Sequence, residues 1–155
     1  MDSDLQFEET SFHQTDDKAR IILPNRFREV IAATGYNKIV VSRLDGCLVA
    51  YPVQKWKQIV ARMMEKPRSN ARARRFRRFY IGAAQTCEID RQGRILISAA
   101  LREYAGIEPK SPVAMAGVTT HFEIWSKSQY EQEYLSFREE EDAGDLGDEI
   151  EELGT

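Results

Sequence analysis

An internal repeat constrains the fold of this 155-residue chain more than any other feature of its sequence. The segment Asp16–Arg20 recurs 74 residues later as Asp90–Arg94, and each copy consists of an Asp, three residues and an Arg. A short aliphatic run follows each arginine, Ile21–Leu23 in the first copy and Ile95–Ile97 in the second. Overlooking such a repeat misleads any interpretation of a fold. We therefore interpret the chain as two copies of one unit.

The repeat keeps its register over more than forty positions without an insertion. The equivalent positions at an offset of 74 include Arg28 and Arg102, Glu29 and Glu103, Leu48 and Phe122, Tyr51 and Trp125, and Trp56 and Tyr130. Two copies are too few for a solenoid, which needs a longer stack of repeats. The pattern instead favours a pseudo-symmetric pair in which each copy lends strands to the other or to a neighbouring chain.

Each unit is predicted to consist of a strand, the Asp-x-x-x-Arg turn, a strand, a short helix, a hairpin and a second helix. The aliphatic runs are typical of strands. Pro24 suits the first turn of a helix, and Asp45-Gly46 between apolar runs indicates a hairpin. In the second copy, Ser98 is a candidate N-cap and Gly106 a candidate stop. The sequence thus predicts an α+β fold that is rich in strands and has short helices.

The two Asp-x-x-x-Arg turns differ at one position, where Ala19 in the first copy corresponds to Gly93 in the second. Glycine adopts a positive φ without steric cost, whereas alanine does not. We therefore expect the two turns to differ in shape.

We divide the chain into five segments. These are an N-terminal extension (1–12), a first unit (13–64), an Arg-rich helical connector (65–86), a second unit (87–137) and an acidic tail (138–155). Residues 1–11 are polar and are expected to be extended or frayed. The tail has few apolar residues and is predicted to be disordered.

The connector contains a predicted helix over 71–80 in which arginines and aromatic residues alternate. Phe76, Phe79 and Tyr80 are predicted to form its apolar face, with Arg74 and Arg78 opposite. This helix allows three interpretations: a solvated face, a surface that pairs with acidic residues of a neighbouring subunit, or a source of sequence-independent phosphate contacts.

Charge is distributed very unevenly along the chain. The 22 basic and 25 acidic residues give a net charge of −3. Residues 18–130, however, hold 21 of the basic and 8 of the acidic residues, a net charge of +13. A basic body between two acidic ends is the pattern of a protein that binds a polyanion.

Several classes of protein are excluded by what the sequence lacks. No apolar run approaches the ~20 residues that span a bilayer, and the acidic N-terminus has no signal-peptide pattern. Cys47 and Cys87 show neither a C-x-x-C spacing nor a metal-ligand spacing with the two histidines, which favours buried, reduced thiols. We therefore expect a cytoplasmic protein with no metal, no cofactor and no membrane contact.

An enzyme is also disfavoured. The chain has no Gly-rich phosphate loop, no His-Glu-x-x-His and no nucleophile elbow. His121 lies in a predicted strand beside Phe122, where a structural role is the better interpretation. We expect neither catalysis nor a small-molecule substrate.

The Asp-x-x-x-Arg turns have two interpretations. In the structural one, the aspartate caps backbone N–H groups and the arginine folds back on it as an ion pair. In the functional one, each turn presents its arginine to a polyanion, because a guanidinium can bond two phosphate oxygens or the O6 and N7 atoms of guanine. The candidate DNA-binding residues are Lys18, Arg20, Arg91 and Arg94, and the candidate phosphate contacts are Arg74 and Arg78.

Seven blocks of this sequence, taken in order, resemble the MraZ family of transcriptional regulators, which contain two units of the SpoVT/AbrB type. The resemblance covers roughly residues 7–137, and any single block would be a weak signal. The blocks are Asp16–Arg20, Leu23–Arg28, Leu44–Leu48, Arg75–Phe79, Asp90–Arg94, Leu101–Gly106 and Phe122–Trp125.

The resemblance implies a swapped-hairpin fold of SpoVT/AbrB type, a β-rich barrel with short helices, and a ring-shaped homo-oligomer, expected to be an octamer. It also implies a repressor of the bacterial division and cell-wall operon, which acts at the nucleoid. Its DNA partner would be short tandem direct repeats in its own promoter region, with Arg20 and Arg94 facing the DNA. The alternative function, from another class, is a scaffold protein whose basic face binds an acidic protein partner.

Overall fold

The computed structural model describes residues 5–154, which form eight strands and six α-helices in a mixed α+β arrangement. In chain order these are β1 (Thr10–Gln14), β2 (Arg20–Ile22), α1 (Asn25–Ala33), β3 (Lys38–Leu44), β4 (Cys47–Pro52), α2 (Val53–Met64), α3 (Ala71–Phe76), β5 (Gln85–Glu88), β6 (Arg94–Leu96), α4 (Ala99–Ala105), β7 (Pro112–Gly117), β8 (Phe122–Ser126), α5 (Lys127–Asp142) and α6 (Gly147–Glu152). A π-helical turn, Arg77–Ile81, continues α3.

The two units interlock by exchanging their first strands. Six antiparallel strands form one sheet in the order β1-β7-β8-β4-β3-β5, so that β1 of the first unit pairs with β7 of the second and β5 of the second pairs with β3 of the first. The remaining strands, β2 and β6, form a separate antiparallel ribbon. The prediction that each copy lends strands to the other is confirmed.

A pseudo-two-fold axis relates the units. In the ribbon, Ile21 lies opposite Ile95, and in the large sheet Val49 lies opposite Glu123. Both pairs join positions that are equivalent at the 74-residue offset. The axis therefore passes through the middle of the ribbon and through the β4–β8 pair.

The main hydrophobic core repeats this symmetry residue by residue. It contains both members of eight pairs that are equivalent at the offset of 74: Ile21 and Ile95, Leu23 and Ile97, Phe27 and Leu101, Ile31 and Ala105, Ile39 and Val113, Val41 and Met115, Leu48 and Phe122, and Ala50 and Ile124. A smaller cluster around Tyr51, Tyr80 and Trp125 includes partly buried residues of α2, α3 and α5. The repeat thus specifies one shared core, which neither unit could form alone.

Local signals in the sequence account for several element boundaries. Pro24 is the N-cap of α1, and the side chains of Ser98 and Ser126 accept capping hydrogen bonds at the start of α4 and α5. Gly106 ends α4 with a φ of 68°. Asp45 and Gly46 both have positive φ values, as a two-residue hairpin turn requires.

The two Asp-x-x-x-Arg turns have the same shape, so the expected difference between them is wrong. Ala19 has a φ of 62° and Gly93 a φ of 79°. Although a positive φ is unfavourable for alanine, the Ala19 residue is only 1% exposed, so its side chain is packed. The same hydrogen-bond pattern, described below, closes both turns.

The N-terminal segment is part of the core rather than frayed. Residues 1–4 lie outside the described residues, but Phe7 is only 1% exposed and its ring centroid lies 5.4 Å from that of Phe27 and 5.2 Å from that of Phe122. Its backbone N–H donates to the carbonyl of Thr119 at 3.0 Å. Strand β1 also begins at Thr10, before the predicted start of the first unit at residue 13. The packing of these three aromatic rings explains why this largely polar segment is ordered.

The connector and the tail also depart from expectation. The turn Arg77–Ile81 is π-helical, which shifts the register of the apolar face, so that Ala73 and Tyr80 are buried and Phe79 is 51% exposed. The acidic tail, predicted to be disordered, extends α5 to Asp142 and then forms α6, and neither helix has a buried residue. Glutamate is a good helix former, which is consistent with this extension.

Within the described residues, no helix is both long enough and apolar enough to span a bilayer.

Candidate nucleic-acid interface

The ribbon formed by β2 and β6 brings the two Asp-x-x-x-Arg turns together. Each turn leads directly into one ribbon strand, and Arg20 and Arg94 are the first residues of those strands. The strands are antiparallel and only three residues long, so both arginines lie within one short ribbon. This arrangement places the candidate residues of the two units at one site.

Each aspartate closes its own turn and holds its own arginine. Oδ1 of Asp16 accepts hydrogen bonds from the backbone N–H groups of Lys18 and Arg20, at 2.9 and 2.8 Å. Oδ1 of Asp90 accepts the equivalent bonds from Gln92 and Arg94, both at 2.9 Å. The other oxygen, Oδ2, accepts from Nε of the arginine, at 2.6 Å in the first turn and 2.8 Å in the second. The structural interpretation of the aspartates is confirmed.

The terminal nitrogens of the arginines are held less tightly than Nε. Nη2 of Arg20 lies 4.0 Å from Oδ1 of Asp17, and Nη1 of Arg94 lies 3.7 Å from Oδ2 of Asp16. The side chains of Arg20 and Arg94 are 27% and 23% exposed. The aspartates therefore orient each guanidinium through one edge, while part of each side chain remains accessible.

The pKa values of both carboxylates are lowered, which favours their ionised forms. Partial burial raises the pKa of Asp16, but the hydrogen bonds from the backbone and side chain of Arg20, and from the backbone of Lys18, outweigh it and lower that pKa below its ordinary value. For Asp90 the backbone hydrogen bond from Arg94 is the largest influence, and the net effect again lowers the pKa. Both turns consequently keep their ion pairs across the physiological pH range.

The outer face of the ribbon combines two arginines with two aliphatic side chains. Arg20 lies opposite Leu96, and Ile22 lies opposite Arg94. Ile22 is 51% and Leu96 54% exposed, while the intervening Ile21 and Ile95 belong to the core. Sequence reasoning missed this surface, because a three-residue aliphatic run gives no sign of which face is exposed until the register is known.

Two further cations lie on the turns. Lys18 and Arg91 are exposed, and within residues 5–154 neither forms an ion pair with a carboxylate. Their positions in the two turns are not equivalent, because Lys18 is the third residue of its five-residue motif and Arg91 the second. All four candidate residues are thus clustered on the ribbon and its turns.

The connector arginines lie on α3 and the π-helical turn, and not on the ribbon. Asn70 caps α3 by accepting from the backbone N–H of Ala73 at 3.0 Å. Arg74 and Arg78 are exposed: Nη1 of Arg74 donates to the carbonyl of Arg68, and the guanidinium of Arg78 lies 5.7 Å from the Phe79 ring centroid. Neither of these two contacts is with a carboxylate, so neither neutralises the positive charge of the arginine.

Burial shifts the pKa values of two further groups, His121 and Cys87. The rings of His121 and Tyr51 are in contact, with centroids 4.9 Å apart and planes tilted by 32°, and burial lowers the pKa of His121. Both cysteines are free and buried, and burial raises the pKa of Cys87 to about 11. No group of three or more potential metal ligands occurs in the part of the chain that the structure describes.

Comparison with known families gives two separate matches to one family model. The model is described as "MraZ protein, putative antitoxin-like", and it matches residues 6–79 and again residues 80–145. The two matches together cover most of the chain. They divide it into two successive units, as the internal repeat does.

Curated relatives that share one name cover most of the chain. A protein of Desulfosudis oleivorans named "Transcriptional regulator MraZ" is 38% identical over 148 residues, which are 96% of this chain and 99% of the relative. A protein of the same name from Desulforapulum autotrophicum is 40% identical over the same shares. Another, from Moorella thermoacetica, is 43% identical over 120 residues, or 77% of this chain and 80% of the relative.

Proposed function

Because the chain belongs to the MraZ family, we propose that it is a transcriptional regulator that binds double-stranded DNA through the ribbon formed by β2 and β6. The relatives are named transcriptional regulators, and the single observation that carries the proposal is the clustering of Lys18, Arg20, Arg91 and Arg94 on that ribbon and its turns. We propose no enzymatic activity for it, because the relatives are named as regulators and not as enzymes.

The size and charge of the ribbon suit the major groove of B-DNA. That groove admits a two-stranded β-ribbon, and its guanines present two acceptors that an arginine can bond at once. In each turn Nε is already bonded to an aspartate, so the edge formed by the terminal nitrogens is the one that would face a guanine. Asp16 and Asp90 then act as positioning residues, which restrict the guanidinium before DNA binds.

Lys18 and Arg91 would contact the phosphates on either side of the groove. They are exposed and unpaired within the described residues, and they flank the ribbon at its two turns. Arg74 and Arg78 would add phosphate contacts from the connector. Such contacts fix the orientation of a protein on DNA without selecting a sequence.

We further propose that the protein assembles as a ring-shaped homo-oligomer, which the family resemblance implies is an octamer. The two interlocked units of each protomer would together form one element of the SpoVT/AbrB type. One protomer presents a single small ribbon, so several ribbons would be needed to occupy tandem direct repeats with high affinity. Tyr134 and Phe137 support assembly, because both are exposed apolar side chains and lie three residues apart on one face of α5. The targets would lie upstream of the protein's own gene, in the division and cell-wall operon at the nucleoid, and binding would repress transcription.

A footprint on the DNA upstream of the gene tests this proposal. Specific protection of evenly spaced repeats, resistant to a large excess of random-sequence DNA, is the expected result. Protection that random DNA abolishes would instead favour the alternative, a basic surface for an acidic protein partner. Binding should weaken steeply with salt, because phosphate contacts release counterions.

A further inference from the structure

Two aliphatic side chains of the ribbon lie on the same face as the arginines. Alternation along β2 puts Arg20 and Ile22 on one face and Ile21 on the other, and β6 repeats this with Arg94, Leu96 and Ile95. Ile22 and Leu96 are each more than half exposed. The pseudo-two-fold axis relates them to one another, since they are separated by 74 residues.

This exposure is not explained by the fold. The inner face of the ribbon is already closed by Ile21 and Ile95, which are 0% and 1% exposed. A half-exposed antiparallel ribbon normally has polar residues on its outer face. Single exposed aliphatic residues are ordinary, but here both units place one at the equivalent position, and each lies directly opposite an arginine of the other strand.

The charge around these side chains indicates their partner. Arg20 and Arg94 share the face, and Lys18 and Arg91 lie on the adjoining turns. A second copy of the same face would bring like charges together, which disfavours a symmetric protein contact. In the major groove, by contrast, the C5 methyl group of thymine is an apolar partner that lies beside guanine acceptors and between rows of phosphates.

We propose, on the basis of the proposed function, that Ile22 and Leu96 are specificity-determining residues that contact thymine methyl groups in the major groove. The ribbon then reads guanine through its arginines and thymine through its aliphatic side chains. Directly opposed residues of an antiparallel pair have Cβ atoms about 5 Å apart, and successive bases rise by about 3.4 Å. Each recognised thymine should therefore lie within about one or two base pairs of a recognised guanine.

Replacing thymine by deoxyuridine removes only the methyl group and tests the contact directly. The probe is a duplex that contains the footprinted sequence, with its thymines replaced one at a time. For the wild-type protein, one or two replacements next to the protected guanines should each weaken binding about three- to fivefold, as expected for the loss of one buried methyl group.

The variant Ile22→Ala/Leu96→Ala completes a double-mutant cycle. It should bind the thymine duplex more weakly than wild type does, and it should no longer distinguish thymine from deoxyuridine. Met64→Ala is the matched control, since Met64 is 60% exposed at the end of α2, and it should keep the wild-type preference for thymine. Oligomer size and melting temperature should be unchanged in both variants.

Three results would overturn the inference. These are equal wild-type affinity for the thymine and deoxyuridine duplexes, a variant that still prefers thymine, and a variant whose oligomer size changes, which would make the face a subunit contact. If Arg20→Ala/Arg94→Ala abolishes specific binding while deoxyuridine has no effect, the proposed function stands and only this inference fails. If the wild-type protein protects no DNA, the proposed function fails and the inference fails with it.

Discussion

The carboxylate of Asp16, in the first unit, lies 3.7 Å from Nη1 of Arg94, in the second. The same oxygen accepts the 2.6 Å hydrogen bond from Nε of Arg20. One carboxylate therefore contacts the arginines of both units. No equivalent contact from Asp90 to Arg20 occurs among the described ion pairs, so the two turns, although similar in shape, are not equivalent in charge.

This asymmetry predicts unequal effects of the two aspartates on DNA binding. Asp16→Asn should lower affinity for the footprinted sequence more than Asp90→Asn, because it releases two guanidinium groups instead of one. Both variants remove a negative charge, so their affinity for random-sequence DNA should rise. The measurement is a titration of each variant with both duplexes. A parallel rise in specific and non-specific affinity would show that the carboxylates only repel DNA and do not position the arginines.

The lowered pKa values of Asp16 and Asp90 predict a loss of stability in acid. Their ionised forms are favoured in the folded state, so their contribution is fully present above the ordinary carboxyl pKa of about 3.9. As the pH falls through that value towards the lowered folded pKa values, the unfolded chain binds protons first and stability is lost. Urea midpoints of wild type and of Asp16→Asn/Asp90→Asn should therefore converge below about pH 4. A constant difference between them down to pH 2.5 would contradict this assignment.

Alanine substitutions at Gly93 and at Gly46 should differ in their effect on stability. Both Gly93 and Gly46 have a positive φ, and an alanine there costs about 1–2 kcal/mol. A Cβ at Gly93 would also meet atoms of the Arg28 side chain at 2.5 to 2.9 Å. At Gly46, by contrast, no atom outside the neighbouring residues lies within 4 Å of such a Cβ. Gly93→Ala should thus lower the urea midpoint more than Gly46→Ala. Equal losses would mean that Arg28 moves aside freely.

Arg74 and Arg78 of the connector should contribute to the salt dependence of DNA binding. Arg74→Gln/Arg78→Gln should weaken binding to specific and random DNA alike and reduce the salt slope by about one for each lost phosphate contact. Arg62→Gln/Arg138→Gln, which removes the same charge from exposed positions of α2 and α5, is the matched control. An unchanged slope would assign the connector helix to solvent or to a subunit interface.

Much of the fold follows from the repeat, because equivalent residues at an offset of 74 occupy equivalent places in the core. Caps such as Ser98 and the turn at Asp45-Gly46 were predictable, since their signals are local. Phe7 was not, because its burial depends on Phe27 and Phe122, which are distant in sequence. The shape of the Ala19 turn was also mispredicted, since tertiary packing overrides the intrinsic preference of alanine.

The candidate site was also predictable only in part, where its contacts are local in sequence. The spacing of the motif predicted that Asp16 and Asp90 would pair with Arg20 and Arg94, and these contacts are confirmed. The opposition of Arg20 to Leu96 and of Ile22 to Arg94 depends on strand register between units, which no local pattern gives. The contact between Asp16 and Arg94 depends on it in the same way.

The most direct test of the account is the affinity of Arg20→Ala/Arg94→Ala for the footprinted repeats, compared with Arg62→Ala/Arg138→Ala, which removes the same charge from α2 and α5. Specific binding should be lost in the first variant and kept in the second, with melting temperature and oligomer size nearly unchanged in both. Normal binding of the repeats by the ribbon variant would contradict the account.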